Sequence, residues 1–410
     1  LSFVDRNVMA VLIGPIREHF DISDFQYSLL HGFAFSMFYI ALGLPIARWA
    51  DRGDRKLIIM LGVFLWSVMT CLCGFARSFT GLFLARVGVG VGEAALSPPA
   101  FSLLADLFPQ EKLARAIAVY SLGITLGGGL AYIAGSAVYT WFEQTGPVNL
   151  PLLADFSPWQ LTFVAVGAPG FAVVLLLGLL REPARKQVAG AAAPDNSLSE
   201  VWAQLKAHRR AYLGLMGSMS LLSILGYGTM AWYPEFLIRT FDMSRADAGG
   251  QFGLVFITAG SLGSLAGGWS VQPLTERGYP DAPLRIILAV ASLWAIPAAL
   301  GPLSPAAAWA VFAAGPIVFL LSAHYGVGVA GLQFITPNHM RAQISALLLF
   351  LTNLFGLALG PSAVAMLTDF LFGDDSALNY SLMLLPLLVC PLAVLLAWQG
   401  LAPYRRALNL

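Results

Sequence analysis

Stretches of about 20 mainly apolar residues, the length a helix needs to cross the hydrocarbon core of a bilayer, recur down the whole of this 410-residue chain. They fall at 1–17, 25–50, 57–76, 80–107, 113–141 and 159–180, and again at 211–240, 247–274, 283–303, 306–333, 342–371 and 379–398. Inside a bilayer a spanning segment must satisfy its own backbone hydrogen bonds, so these windows are expected to be helices. Composition points the same way: 11% of the residues are charged and 58% are apolar, against roughly 25% charged in soluble proteins. That leaves too little polar surface to cover a water-soluble globule. The expected fold class is an all-α integral membrane protein of twelve transmembrane helices. The one long polar stretch, 181–210, reads as a cytoplasmic connecting segment between two pseudo-symmetric six-helix halves, 1–180 and 211–410.

Orientation follows from the basic residues. Of 23 Lys and Arg, seventeen lie at the ends joined by even-numbered loops and termini, and four, Arg17, Arg77, Arg239 and Arg245, lie on the other side. The positive-inside rule places both termini in the cytoplasm, which in a bacterium makes this a multi-pass inner-membrane protein. A net charge of +1 provides no basic field for nucleic acid. Cys71, Cys73 and Cys390 all sit in apolar runs and suggest neither a disulfide framework nor a zinc site. The chain starts at Leu1, already in an apolar stretch, so a preceding segment is expected.

Ionisable side chains within spanning helices are costly and point to function. Asp5 and Arg6 in the first span and Arg86 and Glu93 in the fourth are of this kind. Arg86 and Glu93 are seven apart, which places them on one helix face about 10 Å apart along the axis, and Asp5 and Glu93 are expected at a common depth near the membrane centre. A balanced group of two acids and two bases can simply lock two helices together. It can also hold a charged headgroup and exchange a proton: Glu93 and Asp5 are the candidate proton carriers, and Arg86 and Arg6 the candidate headgroup ligands. His31 and His324 are lone helix histidines of the packing kind. The second half offers aromatic and weakly polar groups, among which Tyr227, Trp232, Tyr325 and Asn353 are candidates for an apolar cavity wall. Gly123, Gly127, Gly128, Gly129 and Gly135 in the fifth span, and Gly249, Gly253, Gly260, Gly263 and Gly267 in the eighth, form small-residue faces suited to close helix approach. No phosphate loop, metal-binding His–Glu pair or nucleophile elbow is present, so no enzyme, cofactor or metal is expected.

Asp51-Arg52-Gly53-Asp54-Arg55-Lys56, between the second and third spans, resembles the loop signature of the major facilitator superfamily, with Ala47 in place of its opening Gly and Asp54 where a Gly is common. Arg86-x-x-x-Gly90 resembles its second motif. More narrowly, Phe3-Val4-Asp5-Arg6, Trp66-Ser67 and Gly90-Val91-Gly92-Glu93-Ala94 are similar to the Spinster group of lipid transporters; Thr336-Pro337 through Arg341 adds a little in the second half. The resemblance implies the major facilitator fold, a cytoplasmic gate at Asp51, Arg52 and Arg55, and transport by alternating access. It also implies a lysophospholipid or sphingosine phosphate as substrate and protons as coupling ion. The expected protein is a monomeric secondary transporter of an amphipathic molecule. A drug or organic-anion carrier is the alternative within transport, and a lipid-binding membrane sensor without transport is the alternative outside it.

Overall fold

The computed structural model describes residues 1–146, 155–180, 182–183 and 198–408. Among these residues every regular element is a helix or helical turn. Nine helices among the described residues are long and apolar enough to cross a membrane, from Arg55–Gly74 to Asp375–Ala407. The other three expected spans are helical as well, but two are interrupted. Ser2–Asn7 and Ile13–Phe20 are separated by a 3-10 turn at Val8–Val11. A wide π-turn at Leu29–Phe33 leads into Ala34–Arg52. The third is the 36-residue helix Gln110–Thr145. Large apolar side chains face outward, with Leu179 81%, Leu175 74% and Phe312 73% exposed. Contiguous apolar exposure on that scale is what a lipid-facing surface requires.

The described residues group into two compact units, those of Leu1–Gln187 with Ala231–Ile257 and those of Val188–Met230 with Thr258–Leu410. In the first unit, the glycines of Gln110–Thr145 meet those of 245–257. A Cβ on Gly253 would lie 2.5 Å from the carbonyl oxygen of Gly129, and one on Gly249 would lie 2.7 Å from that of Tyr132. No residue with a side chain allows this approach without displacing backbone. Tyr132 and Phe252 close the contact edge to face at 5.0 Å. The glycine face of Arg245–Glu276 is therefore divided, because Gly263 and Gly267 pack instead on the carbonyls of Phe319 and Ala323 inside the second unit. In lipid, where apolar surface alone drives little helix association, such contacts carry the packing.

The helix ends carry a repeat between the two halves in backbone conformation as well as in sequence. Phe20-Asp21-Ile22-Ser23 and Phe241-Asp242-Met243-Ser244 end one helix and start the next in the same way. Asp21 and Asp242 both adopt a left-handed backbone at φ 51°, a conformation Asp tolerates better than bulky residues. Ser23 then accepts from the Gln26 N–H at 3.2 Å, and Ser244 from the Asp247 N–H at 3.1 Å, so each caps the following helix.

A second pair of matching features carries opposite charge. At the start of Arg55–Gly74, the buried Arg55 guanidinium donates to Glu182 at 2.9 Å, to Ser102 Oγ at 3.0 Å and to Asp106. At the start of Ala282–Leu300, Asp281 accepts from Arg285 at 2.8 Å and from Arg405 at 2.7 Å. Each cluster ties the start of a third helix to the C-terminal end of a sixth. Partial burial alone would raise the Glu182 carboxyl, but the Lys56 N–H and the Arg55 guanidinium outweigh it and pull Glu182 down to about 2. Asp281 is likewise held below the usual carboxylate range, Arg285 and Arg405 outweighing its burial. A depressed carboxyl contributes stability that is complete above its unfolded value, near 4.3 for Glu, and lost as pH falls through the folded one. Thermal stability is therefore expected to drop between about pH 4.3 and pH 2. Glu182→Gln should cost about 2 kcal/mol at neutral pH and flatten that acid limb. An unchanged acid limb in the variant would assign the loss to other carboxylates.

Candidate functional site

The first unit builds its charged group from two broken helices. Asp5 and Arg6 lie in the last turn of Ser2–Asn7, just before the 3-10 segment. Glu93 is the last residue of Phe79–Glu93, where the chain turns before Ser97–Leu107 begins with Pro98 and Pro99. The prolines cannot donate into a continuing helix, which is why the span breaks here. Glycine brings this break against its neighbours: a Cβ on Gly92 would stand 2.6 Å from the Trp66 nitrogen, and one on Gly62 would stand 2.7 Å from the Gly92 carbonyl. The Gly-x-Gly-Glu string is thus required by packing as well as by position.

All four expected charged residues are buried, with Asp5 1%, Arg6 8%, Arg86 0% and Glu93 2% exposed. Arg6 Nη2 lies 2.6 Å from Glu93 Oε2, a charge-assisted pair across the first and fourth spans. Arg86 Nη1 donates to the backbone carbonyl of Asp5 at 3.2 Å. The pairing thus crosses between helices, and Glu93 takes its hydrogen bond from Arg6 on the other helix. Aromatic rings surround the cations. Arg6 lies 4.4 Å from the centroid of Phe35, 4.9 Å from Phe3 and 5.3 Å from Tyr39, and Arg86 lies 5.7 Å from Phe35. Ring faces stabilise a desolvated guanidinium without neutralising it. Arg86 Nε and Nη2, Asp5 Oδ1 and Glu93 Oε1 are buried and make no hydrogen bond among the described residues. Such atoms are costly to leave unmade, so the group has unused capacity for a ligand, a proton or water.

The remaining expected residues fall elsewhere. Arg55 is locked into the cluster with Glu182 and Asp106, whereas the side chains of Asp51 and Arg52 lie outside the described residues, although their helix, Ala34–Arg52, is described. Trp232 is buried in the first unit, 6.2 Å from Tyr27 and under the Arg239 guanidinium at 5.7 Å. In the second unit Tyr227 packs over Gly356, Asn353 is half-buried at the end of Arg341–Asn353 and Tyr325 is 42% exposed. His31 and His324 are both buried, His324 beside Trp294 at 5.7 Å.

A second ionic network, unanticipated from sequence, lies toward the opposite helix ends of the first unit. Fully buried Asp24 receives both Nη groups of Arg239 at 2.8 Å and Nη1 of Arg17 at 3.0 Å. Arg239 also donates to Glu235 at 2.9 Å, and Arg245 reaches Glu235 at 3.6 Å. Arg17, Arg239 and Arg245 are three of the four basic residues on the sparsely charged side, so their loop positions disguised a buried role.

Lipid-facing helices, broken at a desolvated acid–base group, define a polytopic membrane protein of the solute-carrying class. The sequence profile of the Major Facilitator Superfamily matches residues 1–398. An "MFS-type efflux pump" of Mycolicibacterium smegmatis is 30% identical over 99% of this chain and 91% of its own length. "Protein spinster homolog 1" of Mus musculus is 28% identical over 94% of this chain and 75% of its own length. The crystal structure of a bacterial homologue of the human lysosomal transporter Spinster, inward-facing and unoccupied, matches with a TM-score of 0.81 at 28% identity, covering 100% of this chain and 94% of that one. The chain belongs to the major facilitator superfamily. It is a multi-pass membrane transporter, similar within that superfamily to the Spinster proteins.

Proposed function

We propose that this transporter is a proton-coupled carrier of amphipathic molecules with an anionic headgroup, a lysophospholipid or sphingosine phosphate being the expected type, working by alternating access. The observation that supports this reading is the unused hydrogen-bonding capacity of the buried group: two guanidinium nitrogens of Arg86 beside unpartnered oxygens of Asp5 and Glu93. A guanidinium presents forked donors suited to phosphate or carboxylate oxygens. Protonation of Glu93 would remove the counter-charge of Arg6, releasing a second guanidinium for the headgroup. Proton uptake and headgroup binding would then be linked through one ion pair 2.6 Å long. The excess of basic residues on one side supports a cytoplasmic location for both termini.

Purified protein in sealed proteoliposomes, given labelled lysophosphatidylglycerol or a hydrophilic dicarboxylate with and without an imposed pH gradient, tests this reading. Gradient-dependent lysolipid flux is expected. Saturable lysolipid binding without flux would indicate a sensor, and flux of the hydrophilic anion alone would indicate an organic-anion carrier. The similarity to an efflux pump over nearly the whole chain favours a second reading, a drug or organic-anion carrier that exports its substrate; gradient-driven movement of a lipophilic dye or a hydrophilic anion in place of lysolipid would establish it.

A further inference from the structure

A groove of about 590 Å³ runs along the second unit where the helix Leu198–Ala207 meets the start of Ser218–Phe241, remote in sequence from the charged group. Its length is lined by apolar side chains, including Met216, Leu221, Leu351, Phe355 and Leu396. Lys206 and Arg209 line one end; both are exposed, and neither forms an ion pair among the described residues. From Arg209 to Leu221 is twelve residues, about 18 Å of helix, close to the roughly 15 Å thickness of one hydrocarbon leaflet. Beside the basic end, Trp202 is 69% exposed, as expected of an aromatic side chain at the membrane interface. Within the groove, Leu213–Gly217 form a π-turn, and widened turns of this kind are common at functional sites.

We infer that this groove is a binding site for a single anionic glycerophospholipid of the leaflet in which its basic end lies. One acyl chain would lie along Met216, Leu221 and Leu351, with the phosphate between Lys206 and Arg209. The charge pattern selects this occupant. A zwitterionic lipid would bring its own cation to the basic end, and an apolar helix from another protein would leave both cations without a partner. By the excess of basic residues on that side, the leaflet is the cytoplasmic one. The site is independent of the transport reading, since it uses none of Asp5, Arg6, Arg86 or Glu93.

The test uses the full chain in phosphatidylcholine nanodiscs containing a small fraction of phosphatidylglycerol or phosphatidylcholine with a photoactivatable acyl chain. Adducts are mapped by mass spectrometry. Each basic residue near the surface favours an anionic lipid about 5-fold, so peptides carrying 213–221 and 347–355 should label roughly 25-fold more with phosphatidylglycerol. Lys206→Gln and Arg209→Gln should each lower that preference about 5-fold and together remove it, while Lys206→Arg should keep it. Leu351→Trp should block labelling by both lipids. Equal labelling by the two lipids in the unaltered protein, or a preference that survives the double substitution, would overturn the assignment and leave ordinary annular lipid. Absence of labelling by either lipid would also overturn it.

Discussion

Glu93→Gln is expected to abolish the response of transport to an imposed pH gradient. Glutamine has the shape of the protonated acid but cannot release a proton, so the pair with Arg6 at 2.6 Å can no longer form as an ion pair. Removing one partner of a buried pair costs about 3–5 kcal/mol, because the other charge is left uncompensated. Here that charge is Arg6, which is 8% exposed and ringed by Phe3, Phe35 and Tyr39. Because no proton can leave the site, gradient-driven accumulation should be lost, while downhill exchange of substrate persists. Arg86→Ala should act differently. It removes the two unpartnered guanidinium nitrogens and so should mainly weaken substrate binding, while Glu93 can still exchange a proton. Spin labels on residues 1–187 and 258–410, followed from pH 8 to pH 4, would report the conformational side of the same coupling. Switching with the unaltered midpoint in a well-folded Glu93→Gln protein would place the proton on another group, with Asp5→Asn the next variant to measure.

The second large effect is expected at Asp24. This fully buried carboxylate is shared by Arg17 and Arg239, and Arg239 is linked in turn to Glu235. The network fastens the segment 231–257 to the first two spans, as the Gly129–Gly253 approach fastens it to the fifth. Alternating access requires contacts that are made in one state and broken in another. If this network is such a contact, Asp24→Asn removes about 3–5 kcal/mol from the joined state and shifts the equilibrium toward the parted one by at least roughly 100-fold. A cysteine placed at Ser136, which faces Gly249, should then become reactive to a membrane-impermeant thiol reagent added outside. Glu235→Gln should do much less, since it leaves the bidentate Asp24–Arg239 pair intact. If the Asp24→Asn protein keeps the cysteine at position 136 protected yet melts at a lower temperature, the network is structural and not a latch.

Much of this molecule is legible along the chain because the bilayer imposes a strict local rule. A spanning segment must be long, apolar and internally hydrogen-bonded, so its presence is written in consecutive residues. The same reasoning singles out Asp5, Arg6, Arg86 and Glu93: a charge inside such a segment is conspicuous wherever its partner is. The break of the fourth span is not legible in this way, because 80–107 reads as one apolar stretch, although Pro98 and Pro99 lie at it.

Only the tertiary structure decided which charges meet. Spacing on one helix put Arg86 and Glu93 on a common face, yet Glu93 pairs with Arg6, 87 residues away, and Arg86 turns to the Asp5 carbonyl. Arg17, Arg239 and Arg245 counted in sequence as loop charges orienting the chain, but Arg17 and Arg239 converge on buried Asp24 while Arg245 reaches Glu235. Arg55, expected as one of several gate residues, becomes the centre of a cluster once Asp106 and Glu182 are brought to it from distant positions. The difference has one physical origin. Solvent preference acts residue by residue and can be read from the chain, whereas a salt bridge is short-ranged and directional, and its partners are chosen by how helices far apart in sequence pack against one another.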